Sequence, residues 1–286
     1  QKGWKVIVLD KSSLTGGGVR TFYHGGHPYT YGPRHFIGPA ENMKAFEFLN
    51  KIVPMRHIKK MNVIQQKELA ESINLQGATV LDVGCGLGGP CRMLADEYNC
   101  QVTGLDLSNE YIRTAKELSK LVKLDSKTSF IQGDATSLPF EDNTFDVIWT
   151  QHVQMNIPNK EKFYSEISRV LKSGGHFLYY EILKKGDGEV NYPMPWASTS
   201  EISFLFKETE MDNFLTKFGL TKEQSNDQTI YGIDFLDALF AKLKEFGPPK
   251  IGLNALMGET TKQKLVNVLG HLKSGELELK SGVYKK

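Results

Sequence analysis

The run Val80-Leu81-Asp82-Val83-Gly84-Cys85-Gly86-Leu87-Gly88-Gly89 constrains this chain more than any other stretch. A short apolar, β-branched segment enters a loop of spaced glycines. Cys91, Leu94, Ala95 and Tyr98 then recur at i, i+3, i+4 and i+7. That order predicts strand, tight turn and helix. Glycines admit positive φ and let a ligand lie against the main chain, and the first turn of the helix offers backbone N–H groups with no intrahelical acceptor. A nucleotide-like ligand is the expected occupant, with an ordinary strand-to-helix turn as the alternative. Asp82 repels a pyrophosphate and suits a cationic or hydroxyl-bearing ligand, which argues against a dinucleotide cradle.

The chain beyond the loop sharpens this. Gln101-Val102-Thr103-Gly104-Leu105-Asp106 reads as a second strand ending in a carboxylate 18 residues past Gly88. One helix and a turn fill that distance, so Asp106 should stand beside the glycine loop, where open α/β sheets bind ligands. It can accept two ribose hydroxyls, as an acid in an NAD site also does. Ser129 to Ala135 gives a third strand with Asp134 just past its end, and Leu138 to Trp149 a turn and a fourth strand.

Taken in order, the acidic-x-Gly-x-Gly-x-Gly run, Asp106, Gly133-Asp134-Ala135 and Leu138-Pro139-Phe140-x-Asp142-x-x-Phe145-Asp146 resemble the class I S-adenosylmethionine-dependent methyltransferases. Lys172-Ser173-Gly174-Gly175 matches a further hallmark. The likeness is to members acting on small molecules of the sarcosine, quinone and natural-product type. It implies an α/β, Rossmann-like fold with a seven-stranded, mostly parallel sheet and an antiparallel last strand. It implies S-adenosyl-L-methionine as cofactor and S-adenosyl-L-homocysteine as product. The amino-acid part of the cofactor would lie along Asp82, Gly84, Cys85, Gly86 and Gly88, the ribose on Asp106, and the adenine on Asp134 and Ala135, with Leu107 and Gln151 completing the set.

Thr150 to Pro158 should pass beneath the transferred methyl group. Relatives keep a histidine late in this segment; here Asn156 holds that place and His152 comes four residues earlier. His152 is a base, a cofactor contact or a packing residue. Glu181, at the expected end of the fifth strand, attracts an amine, takes a proton, or is a solvated strand-end acid. Tyr192 and Trp196, in a proline-stiffened loop, hold a methylated ammonium by cation–π contact, wall a flat apolar acceptor, or pack in the core. An amine acceptor is the expectation these residues favour.

Further expectations are helices over 202–206 and 211–218, a sixth strand near 225–230, a helical insertion over 231–274 and a last strand over 276–284. Residues 185–205 and 231–274 would then form the acceptor side of a domain spanning 58–286.

Residues 1–57 read differently. Lys5 to Asp10 is a strand ending in an acid, followed by Gly16-Gly17-Gly18 and by Gly25 to Phe36, a stretch full of turn formers. These residues resemble part of a flavoprotein, UDP-galactopyranose mutase, which would set Asp10 at a ribose and His35 near a flavin. The Gly-x-Gly-x-x-Gly run that the resemblance expects ahead of the strand over 5–10 is absent from residues 1–57, so flavin is not expected as a cofactor, and the segment reads as an N-terminal extension of flavoprotein ancestry. An accessory module of a flavin-dependent sugar mutase is one alternative function for the chain; a noncatalytic S-adenosylmethionine-binding protein is another.

Composition excludes some classes. Net charge is +2 among 286 residues and no long basic run appears, so nucleic acid is not an expected partner. Cys85, Cys91 and Cys100 have no metal-ligand spacing, nor do His24, His27 and His35, so no metal is expected. Three cysteines argue against a disulfide framework and for a reducing cytoplasm. No apolar run approaches membrane-spanning length. A monomer or homodimer acting on a small-molecule acceptor is the expected form.

Overall fold

The computed structural model describes residues 66–247 and 257–286, with the backbone of two N-terminal strands, β1 (Arg20–His24) and β2 (His27–Tyr31), paired antiparallel as a hairpin. The strand expected over 5–10, the boundary near 57, Asp10 and His35 lie outside the described residues.

Seven strands form the main sheet: β3 (Thr79–Val83), β4 (Gln101–Asp106), β5 (Thr128–Gln132), β6 (Phe145–Gln151), β7 (Leu171–Lys184), β8 (Thr221–Asp227) and β9 (Leu277–Lys285), in the spatial order β5-β4-β3-β6-β7-β9-β8. Pairings from β5 through β7 are parallel, and β9 runs antiparallel to both β7 and β8. This is the expected mostly parallel sheet with its reversed last strand. The central strand β3 is apolar on both faces because helices cover both. Val80 faces a cluster with Leu94, Val102, Ile112 and Trp149, while Leu81 and Val83 face another with Phe163, Ile167, Phe177 and Tyr284. That division is the two-residue period of a strand.

The helices are α1 (Gly89–Glu97), α2 (Asn109–Leu121), α3 (Lys160–Val170), α4 (Glu208–Lys217), α5 (Thr229–Phe246) and α6 (Thr261–Ser274). Ser108 Oγ accepts the Tyr111 amide at the start of α2, and Asn159 Oδ1 that of Lys162 at the start of α3. Such caps satisfy donors a helix leaves open. Helices α5 and α6 fill the connection between β8 and β9 and share an apolar cluster of Leu236, Leu265, Val268 and Leu272 with Met194. No helix among the described residues is long and apolar enough to cross a membrane.

Two local expectations change. Residues 202–206 are not an α-helix: a short 3₁₀ turn, Ser200–Ile202, leads into extended chain, and Phe204 donates its amide to Met155 O at 2.8 Å. The sixth strand lies earlier, at Thr221–Asp227, because Asp227 Oδ1 accepts the Thr229 amide at 2.8 Å and turns the chain into α5. Lys172 to Gly175 lies within β7. It bulges β7 between its pairings at Leu171 and His176, and a side chain at Gly175 would meet the carbonyl oxygen of Asp146 at 2.8 Å.

The chain leaves β3 toward β4 on one side of the sheet and reaches β6 on the other. The carboxyl ends of these strands therefore border a crevice at the switch point, which gathers the expected site residues.

Candidate active site

At the carboxyl end of β3 the backbone turns at Gly84, φ 74°, and the amides of Gly84 and Cys85 both donate to Leu105 O, at 2.7 and 3.0 Å. A Cβ at Gly84 would lie 2.8 Å from Val153 Cγ1, so the loop rests directly on the segment that follows β6. Gly88, φ 71°, starts α1, and a Cβ there would come within 2.7 Å of the Phe130 ring. Between them, the side of Gly86 where a Cβ would point is open.

Asp106 closes β4 and joins it to this loop. Its Oδ2 accepts the Gly86 amide and its Oδ1 the Ser108 amide, both at 2.9 Å. Each oxygen keeps capacity for another donor. Beside it Leu107 is 72% exposed, a large apolar side chain left at the crevice edge. Asp134 stands exposed beyond β5, its Oδ1 accepting the Thr136 amide and hydroxyl at 2.8 Å, and Ala135 packs half-buried behind it. Gln151, the last residue of β6, is buried and accepts from Gln66 Nε2 at 2.7 Å, tying the helical stretch 66–71 to the crevice.

Asp82 is 1% exposed, and Cys91 Sγ donates to its Oδ2 at 3.2 Å. The carboxylate thus braces α1 from inside the domain. Burial, and then the neighbouring Cys85 and Asp82, push the Cys91 thiol well above its ordinary value. Arg92, unremarked in the sequence, is also 1% exposed and donates to Leu87 O at 2.8 Å. Burial lowers it to about 10. Two buried polar side chains therefore brace α1 and the glycine loop from beneath.

The segment after β6 is held as firmly. His152 takes φ 54°, donates its amide to Tyr180 O at 3.0 Å and sets its ring edge-on to Tyr180, centroids 5.1 Å apart. A 3₁₀ turn follows at Gln154–Asn156. Glu181 grips this turn from the donor side, its oxygens accepting the amides of Val153 at 3.0 and 3.3 Å and of Gln154 at 3.3 Å. The reading of Glu181 as a solvated strand-end acid fails here. β7 continues to Lys184, so Glu181 is fully buried inside the sheet.

Lys160 grips the same turn from the acceptor side. Its Nζ donates to Gln154 O at 2.6 Å, Ile157 O at 2.5 Å and Phe204 O at 2.8 Å, and lies 4.5 Å over the Phe206 ring. Sequence reasoning missed it, since Asn159-Lys160-Glu161-Lys162 reads as a solvated run.

Tyr192 and Trp196 are half-buried against the α5/α6 cluster, and Trp196 Nε1 donates to Ser203 Oγ at 2.9 Å. Their loop is pinned near its start. Glu276 accepts the Gly188 amide at 2.8 Å and the Lys184 ammonium at 3.0 Å, and His271 Nε2 accepts the Asn191 amide at 2.9 Å.

Comparison with known proteins accords with this geometry. The methyltransferase domain family model matches residues 81–179, from the middle of β3 into β7. A second model, the NAD(P)-binding Rossmann-like domain, matches residues 1–52, in keeping with the flavoprotein resemblance there. The sterol 24-C-methyltransferase of Schizosaccharomyces pombe is 39% identical over 117 residues, 41% of this chain and 31% of that protein. The chain thus matches about a third of the length of that curated relative. Among solved structures, the geranyl diphosphate C-methyltransferase of Streptomyces coelicolor superposes with TM-score 0.68 at 16% identity, covering 89% of this chain and 91% of that one. Phosphoethanolamine N-methyltransferase 2 of Haemonchus contortus superposes with TM-score 0.63 at 19% identity, covering 88% and 54%. Residues 81–179 match a methyltransferase domain model, and they lie within a Rossmann-like fold of the class I methyltransferase type.

Proposed function

We propose that this chain transfers a methyl group from S-adenosyl-L-methionine to a carbon atom of a small, largely apolar acceptor. The observation that carries the reading is the Asp106 carboxylate, bonded to the Gly86 amide at the crevice edge with exposed Leu107 beside it. A carboxylate with spare lone pairs suits a ribose diol, an exposed leucine suits the face of a purine, and the open side of Gly86 leaves room for a ligand against the backbone. Asp134 and Ala135 are assigned to the adenine end. Gly84, Cys85 and Gly88 shape the amino-acid end, with Asp82 bracing the loop and Gln151 closing the floor.

S-adenosylmethionine brings a methyl group already activated on a sulfonium, so the chain's main contribution is position. His152, half-buried where β6 meets the crevice, is assigned to the acceptor's proton. Glu181 is assigned to holding the turn. The case for an amine rested on Glu181, Tyr192 and Trp196. The first now bonds backbone amides and the rings pack on α5 and α6. The sterol relative's name specifies a carbon acceptor, and the half-buried Tyr192, Trp196, Leu205 and Phe235 offer apolar surface for such a skeleton. Residues 58–286 are taken as one methyltransferase unit, with 185–205 and 231–274 on its acceptor side. Three free thiols suit a reducing cytoplasm.

The test is calorimetric titration with S-adenosylmethionine, S-adenosylhomocysteine and FAD, followed by transfer of labelled methyl to a panel of unsaturated isoprenoids and amines. Binding of the first two and a labelled C-methyl product are expected. Failure of both adenosyl compounds to bind overturns the reading, and an N-methyl product overturns the choice of carbon. FAD binding alone would place the function in residues 1–52.

A further inference from the structure

The turn after β6 and the acceptor-side segment at 203–206 are separate in sequence and joined in space. Phe204 gives its amide to Met155 O, and its carbonyl takes a hydrogen bond from Lys160. The same ammonium bonds two carbonyls of the turn. Lysine at the first position of a helix ordinarily reaches solvent. Here it is 8% exposed, and withdrawing an ammonium from water is costly unless its donors are used. Three donors meet three carbonyls drawn from both segments.

We propose that Lys160 is a positioning residue for methyl transfer: its ammonium locks the acceptor-side segment around Phe204 onto the turn that floors the cofactor crevice. The proposal rests on the methyltransferase reading for its consequence, though not for the contact itself. It predicts that losing the ammonium loosens the acceptor side and spares the cofactor side, whose contacts at Asp106 and Gly86 lie elsewhere.

The charged groups acting on Lys160 are Glu181 from β7 and Glu210 from α4; its ammonium lies over the Phe206 ring, beside which Tyr164 of α3 packs. Burial lowers the lysine to about 8, opposed by Glu181 and then Glu210. Tyr164 is pushed well above its ordinary value by burial and stays neutral. Above pH 8 a neutral amine has two N–H groups for three carbonyls, so the lock should weaken.

The experiment is hydrogen exchange of the Phe204 amide, as a protection factor corrected for intrinsic rate, with calorimetry of S-adenosylhomocysteine on the same samples. In Lys160→Met, protection should fall at least tenfold while S-adenosylhomocysteine affinity stays within threefold of wild type. In the wild type, protection should fall between pH 7 and 9. In Lys160→Arg, which cannot lose its charge, that fall should vanish. With the acceptor found in the methyl-transfer panel, Lys160→Met should raise acceptor KM and leave S-adenosylmethionine KM in place. Unchanged protection in Lys160→Met, or pH-independent protection in the wild type, overturns the proposal. Should Lys160→Met fail to fold, the wild-type pH series and Lys160→Arg decide it. Wild-type protein that shows the lock yet binds no S-adenosylhomocysteine would overturn the methyltransferase reading instead.

Discussion

Asp106 Oδ2 accepts the amide of Gly86 at 2.9 Å, so the end of β4 and the middle of the glycine loop are one hydrogen-bonded unit. The residue assigned to the ribose is thereby also the residue that sets the loop. Asp106→Asn should weaken S-adenosylhomocysteine binding roughly tenfold to hundredfold, the range of about 1.5–3 kcal/mol carried by a hydrogen bond to a charged group. Calorimetry measures it, and affinity within twofold of wild type would remove Asp106 from the site.

Gly88→Ala forces a side chain into left-handed backbone and against the Phe130 ring. Strain and overpacking together should cost about 2–3 kcal/mol. For a domain of this size that lowers the melting temperature by roughly 5–10 °C. A shift under 2 °C would mean that Phe130 yields easily and the contact is soft.

His152→Ala separates chemistry from binding. Methyl transfer should drop by roughly 10²–10⁴-fold, the range for a positioned acid–base group, while S-adenosylhomocysteine affinity changes less than threefold. If kcat is unchanged, the ring only packs on Tyr180.

The cysteines should be chemically quiet. Burial pushes Cys91 well above its ordinary value and Cys100 to about 11, so little thiolate exists at pH 8. Iodoacetamide should label neither in the native protein at pH 8 and both after denaturation. Rapid native labelling of Cys91 would show that the loop opens far more often than its packing implies.

His271 supplies a pH dependence with a definite sign. Its Nε2 accepts the Asn191 amide and must be unprotonated to do so. Burial, and then Lys184, lower it below its ordinary value of 6.5. The unfolded chain therefore takes up protons first as pH falls, and stability drops from pH 6.5 downward through the folded value. His271→Gln, which can still accept, should lose less melting temperature between pH 6.5 and 5 than wild type; equal slopes would count against the latch.

The sequence made the strand ends assigned to the cofactor legible because their signals are local. The glycine loop, Asp106 and Asp134 each lie at a strand end marked by an apolar run, and strand ends gather at one edge of an α/β sheet. The side assigned to the acceptor was less legible because its decisive contacts are distant in sequence. Lys160 meets Phe204 across 44 positions, and nothing in the charged run around it shows that it turns inward. Glu181 read as a strand end because a charge interrupts the apolar run there, yet the run resumes at Ile182 and β7 continues to Lys184 against β9. Ile202, Leu205 and Phe206 imitate helical spacing, but backbone pairing with Met155 draws the chain out straight. β8, a polar edge strand of sequence TKEQSND, carries almost no apolar signal to mark where it starts.

The place of β9 in the sheet bears on how the chain is made. It lies between β7 and β8, although β8 is synthesised before α5 and α6 and β9 after them. A nascent chain that has emerged only as far as β8 offers that strand no partner, and the edge of β7 stays open. When β9 emerges it closes two seams at once, and a chain cut short before it would leave β8 as well as the edge of β7 unpaired.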